Sequence, residues 1–203
     1  MRLIGCVIIS LLCCFHGNAQ EKAIILKNVN VVDVVEGSIR KGQDVVIKEG
    51  IIQAVGKGAG TGVSGEVKDL TGMYVMPGLI DAHVHIANDP KESQADRAKH
   101  LEYFLRHGVT SIRDAAGDAR VLRELKEGVQ QGKYLGPDIY YAAFMAGPAY
   151  FEGNDREKSM VEGWPEPYAP WMQCIRPDSD LDKAMEDAKE WGCTGVKIYG
   201  GFD

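Results

Sequence analysis

The sequence has no basic run and no long apolar stretch. Twenty-nine acidic residues outnumber 23 basic ones among 203, for a formal net charge of −6, and Lys and Arg are scattered. Phosphate binding needs clustered Lys and Arg, so nucleic acid is excluded as the main partner. The same scatter offers no polybasic patch to an anionic lipid surface. The apolar run from Leu3 to Phe15 is too short to span a bilayer, which takes ~20 residues as a helix. Cysteine is sparse: of five, Cys6, Cys13 and Cys14 lie in that run, leaving Cys174 and Cys193. Two cysteines make no disulfide framework, and both are expected as structural thiols, although an oxidising compartment permits a bridge. The Gly-rich loop Lys57–Gly65 lacks a following Lys-Ser/Thr and a helix, which excludes a phosphate cradle and leaves a turn.

The amino terminus reads as a leader. Arg2, the short apolar run and Gly17-Asn18-Ala19 form a positive region, an apolar region and small residues before a cut after Ala19. Export to the periplasm or outside the cell is expected. Lipid anchoring is less favoured, because Leu12 and Cys13, which precede Cys13 and Cys14, are not small. After cleavage no membrane partner is expected.

Residues 20–72 read as strands and turns, forming a small β-sandwich segment or an open sheet layer. Ala23–Val29 and Val31–Val35 are β-branched runs broken by Asn30. Asp44–Lys48 and Ile51–Val55 around Glu49-Gly50 carry a hairpin signature. From residue 73 to residue 203 strands and helices alternate. Apolar spacing predicts helices over Ser93–His107 and Ala119–Gln131, and a third opened by a Ser179-x-x-Asp182 capping box, with Leu181, Ala184, Met185, Ala188 and Trp191 on one face. Strands are expected at Tyr74–Ile80, Val109–Arg113, Asp138–Phe144 and Thr194–Tyr199, and a long Pro- and Trp-containing loop over Ala146–Pro177. Such alternation implies an α/β fold of parallel strands with helical crossovers. A closed eight-stranded (β/α) barrel takes ~250 residues, so the expectation is the first half of a TIM-type barrel, four βα units long.

The chemistry-bearing string is Met76-Pro77-Gly78-Leu79-Ile80-Asp81-Ala82-His83-Val84-His85. Residues i and i+2 of a strand share a face, so His83 and His85 can both aim into a cavity at the strand's carboxyl end. Two neutral imidazoles suit Zn²⁺ or another borderline divalent ion. Asp81 has the same parity and is a candidate to orient a histidine. A His-x-His-x-Asp-His reading fails, because Ala87 and Asn88 stand where that pattern needs Asp and His.

The passage from Asp44 to Ile86, with its hairpin and Pro-Gly-Leu-Ile-Asp-Ala-His-Val-His, resembles the opening of the metal-dependent amidohydrolase superfamily, in its imidazolonepropionase-like and prolidase-like branch. The resemblance implies a (β/α)₈ barrel, a β-sandwich built partly from the preceding segment, and a divalent metal, Zn²⁺ foremost, two ions per complete chain. It implies that His83 and His85 are metal ligands and that Lys197, at the end of the fourth strand, carries CO₂ as a metal-bridging carbamate. A lysine pairing with a carboxylate or facing solvent is the alternative for that position. Gly108-Val109-Thr110-Ser111-Ile112-Arg113-Asp114 matches the second strand of the same branch. Asp114 either faces the pocket or makes structural hydrogen bonds at the barrel mouth, and Tyr199 has the parity to contact a substrate. His100 and His107 read as non-catalytic.

The resemblance implies hydrolysis of a C–N bond in a small-molecule substrate: an amide, a cyclic amide or a dipeptide such as X-Pro. Family members take further ligands from strands five, six and eight, which Asp203 precedes. The chain is therefore expected to be the front part of a longer product and inactive alone. The alternatives are a non-catalytic metal-binding fragment and the same fold acting as a deaminase. A homo-oligomer is possible.

Overall fold

The computed structural model describes residues 22–152, 162–163 and 168–202. The leader expected at 1–19 lies outside the described residues, as do Trp164, Pro165 and Pro167 of the long loop. The chain divides into two compact units between Pro77 and Gly78.

The first unit is one five-stranded sheet, the open-layer form of the two expected. Strands β1 (Ala23–Asp33), β2 (Ser38–Lys48) and β3 (Ile51–Gly56) form an antiparallel meander. Glu49 (φ 54°) and Gly50 (φ 72°) make the turn between β2 and β3. Both central residues are left-handed, as a two-residue hairpin of matching twist requires. β1 is continuous through Asn30. Its pairing with β2 shifts twice, between Leu26 and Val29 around Asn28 (φ 57°) and between Val29 and Val31 around Asn30. Buried Asp44 accepts from the Asn28 N–H and from the Gly60 N–H, both at 3.3 Å, tying this bulge to the Gly-rich loop. A Cβ at Gly60 would meet Ile25 Cγ2 at 2.4 Å, so that loop is glycine-rich here for close packing. Strands β4 (Gly65–Asp69) and β5 (Tyr74–Val75) both pair with β1 in parallel. The apolar run Tyr74–Ile80 is therefore split: its front joins this sheet and its back starts the next unit.

In the second unit β6 (Leu79–Val84), β7 (Val109–Ala115), β8 (Asp138–Ala146) and β11 (Gly195–Ile198) are parallel neighbours in that order. Helices α1 (Gln94–Arg106), α2 (Ala119–Gln130) and α4 (Leu181–Glu190) belong to the crossovers. Ser93 caps α1 by accepting the Asp96 N–H, and Asp118 caps α2 through the Arg120 N–H. Gly108 (φ 83°) ends the first crossover helix in a left-handed turn. The cap of α4 is Asp180, not Ser179: the Asp180 carboxylate accepts the Lys183 N–H, while the Ser179 hydroxyl accepts the Arg176 N–H at 2.9 Å. The long loop is less irregular than its composition implies. It holds α3 (Pro148–Glu152) and a pair of short strands, β9 (Tyr168–Ala169) and β10 (Met172–Cys174), with β10 adding in parallel to β8.

Leu101, Ile112, Leu122, Leu125, Ile139 and Trp171 are fully buried or nearly so and form the core between helices and sheet. Each such aliphatic side chain contributes ~1.5–3 kcal/mol through burial. Among the described residues β6 pairs only with β7, and β11 only with β8. Ile80 (72 % exposed) and Ile198 (71 %) leave these outer strands with uncovered apolar side chains, the hazard of an unclosed sheet. On the helical face expected to be buried, Ala184 and Ala188 are inside, but Leu181 and Met185 are exposed. Cys174 and Cys193 are free thiols, and burial pushes the Cys193 thiol up to about 12.

Candidate metal centre

A cavity of about 370 Å³ opens at the carboxyl ends of the parallel strands. His83 and His85 line it, with Asn88, Ala115, Ala116, Phe144, Tyr150, Met172, Lys197 and Tyr199. The two imidazoles come from the end of β6, their ring centroids 5.1 Å apart and edge-on at 65°. Lys197 comes from β11, two strands beyond β7, so the topology brings together residues more than a hundred positions apart in sequence. Its Nζ stands 5.8 Å from the Tyr199 ring. Tyr199, Tyr150 and Phe144 form a contiguous aromatic wall, with centroids 4.9–5.6 Å apart.

Asp81 and Asp114 are not among the lining residues. The pairing of β6 with β7 shifts between Asp81 and Val84, which frees backbone groups from the ladder. The Asp81 carboxylate accepts the His83 N–H at 3.1 Å, and Arg113 Nε donates to the Ala82 carbonyl at 3.0 Å. Asp81 thus acts on the backbone of a histidine, not on its ring. Asp114 is wholly buried and makes the structural hydrogen bonds of the second reading: its oxygens accept the Ile86 and Gly117 N–H groups, each at 2.7 Å. Burial pushes its carboxyl up to about 6, although those amides and that of Ala87 favour the ionised form. Two residues on, Ala116 has φ 108°, a left-handed value for a residue other than glycine, at a position that lines the cavity. His100 pairs with Glu92 (3.0 Å) and His107 with the Tyr103 carbonyl (2.8 Å), both on α1 or beside it.

No motif in the sequence marks Asn88 as part of the site, which it lines. Its Nδ2 lies 3.2 Å from His85 Nδ1, and its Oδ1 is buried with no hydrogen-bond partner. A ring that coordinates through Nε2 carries its proton on Nδ1. With its amide turned, Asn88 would present Oδ1 to that proton. Two imidazoles on one side of the cavity suit a divalent ion. Among the described residues no group of three or more His, Cys, Asp or Glu is gathered for a metal.

The amidohydrolase family model matches residues 74–195, more than half of the chain. This chain belongs to the amidohydrolase family. Its similarity to curated members is local. A dihydroorotase of Trichlorobacter lovleyi is 35 % identical over 89 residues, 44 % of this chain and 21 % of the relative. An adenine deaminase of Listeria welshimeri is 33 % identical over 96 residues, 47 % of this chain and 15 % of the relative. Among solved structures, a prolidase complexed with N-methylphosphonate-L-proline superposes at TM-score 0.64 and 24 % identity, over 87 % of this chain and 46 % of that one. The A. niger ochratoxinase superposes at TM-score 0.65 and 20 % identity, over 89 % and 47 %. The chain thus spans about a fifth or less of these curated relatives and under half of these solved structures.

Proposed function

We propose that this chain supplies the first part of the active site of an exported, metal-dependent hydrolase that acts on a C–N bond of a small molecule. The observation that carries the reading is the convergence of His83, His85 and Lys197 on one cavity at the carboxyl ends of parallel strands. Metal use by the superfamily and its dihydroorotase- and prolidase-named members support an amide, cyclic amide or X-Pro dipeptide as substrate. His83 and His85 would hold one ion, and Lys197, carbamylated by CO₂, would bridge it to a second, Zn²⁺ being the ion suited to these donors. Bound divalent ions polarise a carbonyl and acidify a water. Phe144, Tyr150 and Tyr199 present an apolar wall against which a substrate packs, and Asn88 holds the His85 proton.

The test is metal analysis of the complete gene product, with and without bicarbonate, for the wild type, His83→Ala and Lys197→Ala. The expected result is two ions in the wild type and a marked loss in both variants. A wild type without bound ions refutes the reading, and an unchanged count in Lys197→Ala removes the lysine from the site. Similarity to adenine deaminases favours a second reaction on the same site, release of ammonia from an amino-substituted ring. Ammonia produced from adenine, with no cleavage of cyclic amides or dipeptides, selects it.

A further inference from the structure

We infer that Arg97 and Asp114 are positioning residues for His85: they hold the Ile86 backbone at its N–H and at its carbonyl, in two successive peptide groups, and so fix the direction in which the His85 ring enters the cavity. This rests on the reading of His85 as a metal ligand. Asp114 Oδ2 accepts the Ile86 N–H at 2.7 Å, and Arg97 Nε donates to the Ile86 carbonyl at 3.1 Å. Both side chains are buried, Asp114 to 0 % exposure and Arg97 to 5 %. Most of their remaining bonds hold residues 87–92, and one of Asp114's reaches the turn after β7. The other nitrogens of the Arg97 guanidinium donate to the Glu92 and Asp89 carbonyls, with the Glu92 carboxylate 3.8 Å from Nε. Asp114 takes the Ala87 and Gly117 amides as well.

Burying an ionised group is costly unless it is paired and fully hydrogen-bonded. Here a buried anion from β7 and a buried cation from α1 are both committed to the backbone of one residue, Ile86, which follows a candidate ligand. The His85 backbone lies between that clamp and the irregularity at Ala82-His83, whose free groups Arg113 and Asp81 take up. The ring is left with side-chain rotation alone, and Asn88, from the clamped loop, contacts its Nδ1. Groups that orient a metal-binding histidine typically change affinity 10- to 100-fold when removed.

A purely structural role would lower stability without altering the site. The whole chain is therefore compared as wild type, Asp114→Asn, Arg97→Met, Arg97→Lys and Leu125→Ala, the last a core substitution away from the loop. Co²⁺ is the probe, followed by its visible absorption. The expected result is a loss of at least ~10-fold in Co²⁺ affinity with a shifted spectrum for Asp114→Asn and Arg97→Met. Arg97→Lys should recover part of the loss, and Leu125→Ala should retain wild-type affinity despite reduced stability. Wild-type affinity and spectrum in both clamp variants overturn the proposal. If the wild type itself takes up no Co²⁺, the metal reading falls, and the ring resonances of the metal-free chain decide the clamp. His85 signals that shift in the clamp variants, with those of His100 and His107 unmoved, sustain it; unmoved His85 signals end it.

Discussion

Gly78→Ala tests why the string that leads into the histidines contains a glycine. A Cβ at Gly78 would lie 2.0 Å from Thr110 Oγ1, 2.3 Å from its Cγ2 and 2.6 Å from its Cβ. Non-bonded carbons want ~3.5–4.0 Å. The nearest atoms belong to a β-branched side chain, stiff at χ1, so rotation cannot clear the clash, because the Thr110 Cβ itself is too close. The strands must separate where the Leu79 N–H bonds the Gly108 carbonyl at 2.9 Å. Overpacking of this kind costs ~1–3 kcal/mol. Gly195→Ala is the control, a strand glycine with nothing within 4 Å of its added Cβ. All three tryptophans, Trp164, Trp171 and Trp191, lie beyond residue 78, so their fluorescence during urea unfolding reports the second unit. Gly78→Ala should lose ~2 kcal/mol more than Gly195→Ala. In a double-mutant cycle, Thr110→Gly should recover at least ~1 kcal/mol of it. Equal effects of the two alanines, or no coupling to Thr110, would refute the close-approach argument.

The Asp114 carboxyl titrates near 6 in the folded chain against an ordinary 3.8, so protonation favours the fold. Its contribution is full below about pH 4 and is lost as pH rises through about 6. The wild type should therefore lose ~2 kcal/mol relative to Asp114→Asn between pH 4 and pH 7; a constant difference by urea unfolding counts against that shift. Cys193, pushed up to about 12 by burial, is almost wholly thiol at pH 8. Mass spectrometry should show it alkylated by iodoacetamide at least ~100-fold more slowly in the native chain than in urea, and equal rates would mean it is not buried. If the site is built as proposed, Zn²⁺ at 100-fold above its Kd adds ~2.7 kcal/mol to the unfolding free energy of the wild type and nothing to His83→Ala/His85→Ala. A leader cut after Ala19 gives a secreted chain that begins at Gln20 by amino-terminal sequencing.

Periodicity and punctuation alone locate most elements. The spacing of Ala98, Leu101, Phe104 and Leu105 with Gly108 behind them delimits α1, and Glu49-Gly50 marks the hairpin. Where one short side chain competes with its neighbour the sequence misleads. Ser179 and Asp180 can both cap α4, and the Ser179 hydroxyl is instead taken by the Arg176 N–H. β10 was not visible because three residues, Met-Gln-Cys, are too short a run to mark a strand; it exists because β8 extends beyond β7 and offers an unpaired edge.

The site divides along the same line. Two histidines at i and i+2 on an apolar strand are a local fact, because strand geometry sends both to one face, so the pairing of His83 with His85 was fixed by the chain alone. Which residues meet them was not. Lys197 joins through strand order, Tyr150 through a helix inside what read as loop, and Asn88 through the fold-back of residues 86–92 around Arg97. The parity of Asp114 left it free to face the cavity or the backbone. Tertiary packing decided this by burying it against three amide donors, which a carboxylate satisfies and an open cavity does not supply.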